Sequence, residues 1–267
     1  AYTLTANANT PSVAPDRVPP TAPFLALTEA LTLVTLELDI DGATGASVSP
    51  PAHIHLNSAS EGGGIEYYLS PIDGGDAAAR SSKIVAAPFS MLKAFDGYIN
   101  VHESPANLGN VVAQGNIGAN AEGTEGPGLD FVDDRRATTY PLEASATDGS
   151  VLSDGVSGTV RFEELTDSQT LVTYSLDTDG SVNSATSGTV EVAQIGHIHE
   201  NNVQQGGSIV SSPFSGYLGS IAPTDPDARS SRIIEASFDD LTGYNGYVNI
   251  HEAVADNRRG FVFAQGN

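Results

Sequence analysis

Leu33-Val34-Thr35-Leu36-Glu37-Leu38-Asp39-Ile40-Asp41-Gly42 returns 138 residues later as Leu171-Val172-Thr173-Tyr174-Ser175-Leu176-Asp177-Thr178-Asp179-Gly180. In the first run Val34, Leu36, Leu38 and Ile40 fall on one face of an extended chain, and Leu33, Thr35, Glu37 and Asp39 on the other. A period of two, rich in apolar and β-branched residues and closed by Asp-Gly, reads as a half-buried strand entering a tight turn. The fold class follows from this run, because the same pattern recurs along the chain and the run itself belongs to a longer repeat.

Other landmarks repeat in the same order. Tyr2-Thr3-Leu4 answers Tyr140-Pro141-Leu142, and His53-Ile54-His55 answers His197-Ile198-His199. Ala79-Arg80-Ser81-Ser82 answers Ala228-Arg229-Ser230-Ser231, and Gly97-Tyr98-Ile99-Asn100-Val101-His102-Glu103 answers Gly246-Tyr247-Val248-Asn249-Ile250-His251-Glu252. Ala113-Gln114-Gly115-Asn116 closes one copy and Ala264-Gln265-Gly266-Asn267 the other, the offset having drifted from 138 to 151. Self-similarity at this spacing predicts two homologous domains, residues 1–118 and 139–267, joined by a linker at 119–138 that has no counterpart. Short strands bounded by Gly, Asp, Asn and Pro predict two tandem antiparallel Greek-key β-sandwiches of the immunoglobulin or superoxide dismutase kind. Phe89-Ser90-Met91-Leu92-Lys93-Ala94-Phe95 is the one stretch with room for a helical turn or two.

The charge narrows the partners. Against 33 Asp and Glu the chain has 11 Lys and Arg, a formal net charge of −22 over 267 residues. Binding to nucleic acid draws its affinity from Lys and Arg that displace phosphate counterions, so nucleic acid is excluded as a partner. No apolar run approaches the roughly 20 residues that cross a bilayer as a helix, and no membrane insertion is expected. The opening Ala1-Tyr2-Thr3, without methionine, reads as the product of leader removal, which predicts an extracellular or cell-surface location. There is no cysteine, which excludes disulfides, sulfur-rich zinc sites and iron–sulfur clusters.

All six histidines lie in the repeated motifs. Residues two apart on a strand project from one face, so His53 and His55 point together, as do His197 and His199. His102, 47 residues after His55, shares a face with Tyr98 and Asn100 on an equally strand-like run, and His251 does the same in the second copy. Pairing of the two His strands would bring His53, His55 and His102 together in one domain and His197, His199 and His251 in the other. Neutral imidazole suits zinc, copper, iron and nickel, and three such ligands leave a coordination position open. We expect one transition metal per domain, copper first and zinc second. The competing reading is a cluster of hydrogen-bonded core histidines. Glu103 and Glu252 point to the opposite strand face, Asn100 and Asn249 face the histidines, and the Asp-rich turns at Asp39 and Asp177 lack the further oxygen ligands of a calcium loop.

His53-Ile54-His55, the glycines Gly62-Gly63-Gly64, Gly97 to His102 and the run Asn107 to Gly115 together resemble the chordin-type (CHRD) domain, and the second copy matches at the corresponding places. The resemblance covers both copies and implies an extracellular β-sandwich, often in tandem. The His-x-His strand is also similar to the copper strand of copper-zinc superoxide dismutases, although each copy here lacks a fourth histidine and the zinc-loop ligands. The function expected is a secreted structural or interaction protein with one three-histidine site per domain, able to self-assemble through its terminal strands into a filament or matrix. A copper-dependent redox enzyme is the alternative. A carbohydrate-binding module is a third reading, for which Tyr67, Tyr68, Tyr217, Tyr244 and Tyr247 are the available aromatics.

Overall fold

In a computed structural model of the chain, residues 1–6, 20–38, 50–104, 107–126, 128–145, 156–177, 186–187, 190–191, 194–222, 225–252 and 262–267 are described. The Asp-Gly turns at Asp41-Gly42 and Asp179-Gly180 lie outside them. The chain divides into two compact units, Ala1–Pro127 and Gly128–Asn267. No helix among the described residues is long and apolar enough to cross a membrane.

The first unit runs β1 (Tyr2–Thr3), β2 (Thr5–Ala6), β3 (Thr21–Ala22), β4 (Phe24–Ala26), β5 (Thr32–Glu37), β6 (Ala52–Leu56), β7 (Ile65–Leu69), β8 (Arg80–Val85), α1 (Phe89–Lys93), β9 (Asp96–Ser104) and β10 (Asn107–Gly118). These strands form two antiparallel layers, β1-β3-β5-β8 with β4 also on β5, and β2-β10-β9-β6-β7. Val34 and Leu36 from one layer meet Ile54, Ile99 and Ile117 from the other, all essentially without exposure. The alternation read in the sequence is therefore the alternation of a sandwich layer, with apolar side chains turned toward the opposite sheet.

The second unit runs β11 (Ala137–Ala144), β12 (Gly158–Thr166), β13 (Gln169–Leu176), β14 (Thr186–Ser187), β15 (Val190–Glu191), β16 (Gln194–Glu200), β17 (Tyr217–Ile221), β18 (Arg229–Ile234), α2 (Phe238–Thr242), β19 (Gly246–Glu252) and β20 (Val262–Gly266). Its layers are β18-β13-β12-β11 and β20-β19-β16-β17, again antiparallel, with β14 and β15 as a separate pair. Strand β11 serves both layers: Ala137 to Leu142 pair with β12, and Glu143 and Ala144 pair with β20. In the first unit the same task falls to two short strands, β1 on β3 and β2 on β10.

The expected antiparallel β architecture is present in both units. The stretch read as linker is divided between them. Thr124 exchanges backbone bonds with Ala1, Ala121 packs on the first core, and Lys93 pairs with Glu125 at 2.6 Å. On the other side, the amide of Val132 donates to the Leu165 carbonyl, and the Arg136 guanidinium bridges Glu164 at 2.8 Å and Asp239 at 2.7 Å. Absence from the repeat thus marks chain specific to one unit rather than free chain. The helical turn expected at Phe89 is α1. Its repeat α2, built on the acidic Phe238-Asp239-Asp240, carries no apolar stripe to announce it.

Candidate metal centre

Strand β6 pairs antiparallel with β9 in the register His53↔Asn100, Ile54↔Ile99 and His55↔Tyr98. Period two sends Ala52, Ile54, Ile99 and Val101 into the core, and so sends His53, His55, Tyr98, Asn100 and His102 to the opposite face of the sheet. The second unit has the same register, His197↔Asn249 and His199↔Tyr247, with Ile198, Val248 and Ile250 in its core. The pairing that the His-x-His reading required is present twice.

The three imidazoles of each unit converge. One ligand atom from each of His53, His55 and His102 lies within 4.8 Å of the others, and the same is true of His197, His199 and His251. Ring centroids stand 5.8, 5.2 and 6.5 Å apart in the first unit and 5.9, 5.2 and 5.5 Å apart in the second. Nε2 of His199 and Nε2 of His251 are 3.3 Å apart. Two nitrogens each about 2.0–2.1 Å from one tetrahedral ion would stand about 3.3–3.4 Å apart, so this pair already has the spacing of joint ligands. All six rings are buried.

A carbonyl oxygen can only accept, so each ring nitrogen against a carbonyl must carry the proton. Nδ1 of His55 donates to the Gly63 carbonyl at 3.0 Å, Nδ1 of His102 to the Leu108 carbonyl at 2.6 Å, and Nδ1 of His199 to the Gly207 carbonyl at 3.0 Å. In the neutral ring the other nitrogen, Nε2, then presents a lone pair. Nε2 of His55 and Nδ1 of His53 are buried with no hydrogen-bond partner among the described residues. Burial lowers the His53 pKa to about 3, helped by the neighbouring His102 and His55 rings and by Lys83. Burial also lowers His102 and His199, against the opposing pull of their carbonyl bonds. These rings stay neutral at neutral pH, the form that ligates.

The loop after the His-x-His strand holds the arrangement. Asn57 and Gly62 take positive φ values of 68° and 73°, and Asn57 Nδ2 donates to the Gly62 carbonyl at 2.9 Å. A Cβ on Gly63 would lie 2.0 Å from the Leu56 carbonyl oxygen, so only glycine lets the loop fold back far enough to meet His55. The amide of Gly63 donates to the Tyr98 hydroxyl at 3.2 Å, and the Tyr98 ring stacks on His55 at 4.9 Å. The second unit repeats every part. Asn201 and Gly206 have φ 69° and 67°, a Cβ on Gly207 would lie 2.1 Å from the Glu200 carbonyl, and the Gly207 amide donates to the Tyr247 hydroxyl at 3.1 Å.

The sequence missed these supports. The strand period gives Tyr98 only a face, and the glycines stand in the sequence only as part of a motif; the available signal is that each keeps its distance from a histidine in both copies. Tyr68 and Tyr217 pack edge-on against His53 and His197 at 5.0 and 5.1 Å, and Tyr247 stacks on His199 at 5.1 Å. Three of the five tyrosines considered for carbohydrate thus pack on the histidines. Asn100 accepts from Gln114 Nε2 at 2.7 Å, and Glu103 accepts from Asn107 and Asn110 rather than reaching the histidines. Arg80 pairs with Glu37 at 2.9 Å.

The donor set fits a borderline transition metal: three imidazole nitrogens, no sulfur, and two nitrogens in the first unit with no hydrogen-bond partner among the described residues. No protein-family model, curated protein or solved structure matches the chain.

Proposed function

We propose that each unit binds one transition-metal ion through its three histidines, and that the chain is an extracellular structural or interaction protein carrying two such sites in tandem. The observation that supports this most is the twofold convergence: two units whose cores differ in composition each bring one nitrogen from each of three imidazoles within 4.8 Å of one another, with the tautomer of His55 and His199 fixed by the same loop. Copper is the metal proposed first and zinc second, because nitrogen donors bind copper more tightly while zinc is often more available. The three imidazoles leave at least one coordination position for water or an exogenous ligand. His53, His55 and His102 would hold one ion, and His197, His199 and His251 the other. Elemental analysis of untagged protein equilibrated with excess metal and desalted should give two ions per chain. His102→Ala should lower this to one, and His102→Ala with His251→Ala to none. A wild-type protein without stoichiometric metal would sink the proposal.

A copper-dependent redox enzyme is favoured by one observation, that the oxidisable Tyr98 and Tyr68 rings lie against two of the proposed ligands. The net charge of −22 works against an anionic substrate such as superoxide, which this field would repel. Turnover by the copper-loaded protein no faster than by free copper would remove that reading.

A further inference from the structure

Each trio of histidines has a floor. On the face of β16 and β19 turned from the core, three cross-strand pairs follow one another: Ile195 with His251, His197 with Asn249, and His199 with Tyr247. Nε2 of His251 and Nε2 of His199 are 3.3 Å apart although they belong to the two outer pairs, so their rings lean together over the middle one. His197 is the third ring of the trio, and Asn249 is the side chain left beneath all three. Directly opposed residues have Cβ atoms about 4.5–5.5 Å apart, which places the Asn249 carboxamide close under the point where the ring nitrogens converge.

The two units treat this side chain differently. In the first, Asn100 opposes His53 on one side and Gln114 on the other, and Gln114 Nε2 donates to Asn100 Oδ1 at 2.7 Å. In the second, Asn249 opposes His197 and Gln265 in the same register. It is only 7% exposed, and its Oδ1 is buried with no hydrogen-bond partner among the described residues. A buried carboxamide oxygen without a donor is destabilising, and in a native fold it calls for an explanation, of which a bound ion is one. The rings also stand closer here, with 5.5 Å between the centroids of His199 and His251 against 6.5 Å between those of His55 and His102. Both copies carry the same Asn and Gln, so the difference is one of packing and not of composition.

Resting on the metal reading above, we propose that Asn249 Oδ1 is a fourth protein donor in the second unit, so that its site holds an ion by three nitrogens and one oxygen while the first holds one by three nitrogens alone. The ion that suits the second site is a divalent borderline cation, Zn(II) or Cu(II). A carbonyl oxygen is a hard donor that such ions accept, whereas monovalent copper is drawn to soft ones. In the first unit the corresponding oxygen is engaged by Gln114, and the position stays open to an exogenous ligand. The two sites are therefore unlike in donor set although their histidines are alike.

The test uses the full chain with one site removed at a time. His102→Ala leaves the second site and His251→Ala the first, and each should take up one ion of zinc or copper; no uptake by either removes the metal reading itself. In His102→Ala, adding Asn249→Leu should weaken zinc about tenfold in competition with a chelator, the lower end of what a supporting group is worth to a metal site, and should shift the EPR and visible spectra of the copper(II) form. Asn249→Asp, which keeps an oxygen donor, should hold the affinity. In His251→Ala, adding Asn100→Leu should change neither affinity nor spectra. The thermal midpoint of the metal-free protein should stay or rise with Asn249→Leu, because an apolar group of the same shape replaces an unbonded oxygen. One ion bound as tightly in Asn249→Leu as without it would overturn the fourth donor and leave the three-histidine site standing. Weaker binding with unmoved spectra would also overturn it, since the oxygen would then hold metal-bound water rather than the ion. A metal-free midpoint that falls along with the affinity would make Asn249 a structural residue, and equal losses from Asn249→Leu and Asn100→Leu would abolish the difference between the units.

Discussion

Leu36 and Ala52 in the first unit correspond to Tyr174 and Gly196 in the second. Leu36 and Ala52 are both buried in the apolar core of the first unit. Tyr174 is buried just as fully, and its hydroxyl lies 2.8 Å from the Gln194 carbonyl and 3.0 Å from that of Gly219. A Cβ on Gly196 would lie 2.7 Å from the Tyr174 ring, so the larger side chain fits because the facing residue lost its own. One step along the same strand, His53 and His197 keep the same register and the same neighbours. The comparison teaches that the two faces of this sheet answer to different constraints. The inner face needs only a filled volume, reached by compensating pairs, whereas the outer face keeps a fixed set of ring positions.

Acid should have the broadest effect, acting on the outer face of both units. His53 in the folded protein titrates near 3, while an unfolded histidine takes a proton near about 6.5. Between those values the unfolded chain binds more protons, so the ring's contribution to stability is complete above about pH 6.5 and is lost as pH falls toward 3. The thermal midpoint of metal-free protein should fall across that window, and His53→Gln should make the fall shallower. An identical pH profile in the variant would show that this ring is not held neutral by the fold.

On the inner face, Gly196→Ala should destabilise the second unit by about 1–3 kcal/mol through overpacking against Tyr174. Adding Tyr174→Leu recreates the pair of the first unit and should recover much of the loss. Denaturant midpoints of the two single variants and the double variant measure the coupling, and strictly additive effects would mean that the two residues are not a compensating pair. Tyr98→Phe keeps the ring on His55 but removes the oxygen that receives the Gly63 amide. It should weaken metal binding in the first unit about 10–100-fold and leave the second unchanged, with Tyr247→Phe doing the reverse. Competition titration against a chelator reads both, and equal loss at the two sites would break the assignment of each tyrosine to its own unit. The smallest effect lies at the helices. Ser237 Oγ accepts from the Asp240 amide, whereas Pro88 before α1 makes no such bond. Ser237→Ala should therefore cost the second unit about 1 kcal/mol by calorimetry, and a thermal midpoint unmoved by the change would mean that the cap carries no weight.

Much of this was legible in the residues because strand geometry is so regular. A period of two forces His53 and His55 to one side, and the repeat of Gly97 to His102 at Gly246 to His251 marks the partner strand, so the trio could be named without coordinates. The loops could not be read in the same way. That Gly63 must touch the Leu56 carbonyl, or that its amide ends on Tyr98, depends on how far the chain doubles back, and no periodicity encodes that. Tyr174 and Gly196 lie on strands of different layers, and only packing shows that one makes room for the other. The ties of segment 119–138 are illegible in the sequence for a related reason. Arg136 and Ala121 have no counterparts in the repeat, yet each is tied into the unit on its own side by an ion pair or an apolar contact.

The histidines stand on the side of the sheet turned away from the apolar interior, tied to their loops through Gly63, Leu108 and Gly207. If each trio holds a metal as proposed, loading or emptying it would engage a few rings and a short loop that lie outside the apolar interior. On the proposed function, each unit would trade its cargo without refolding.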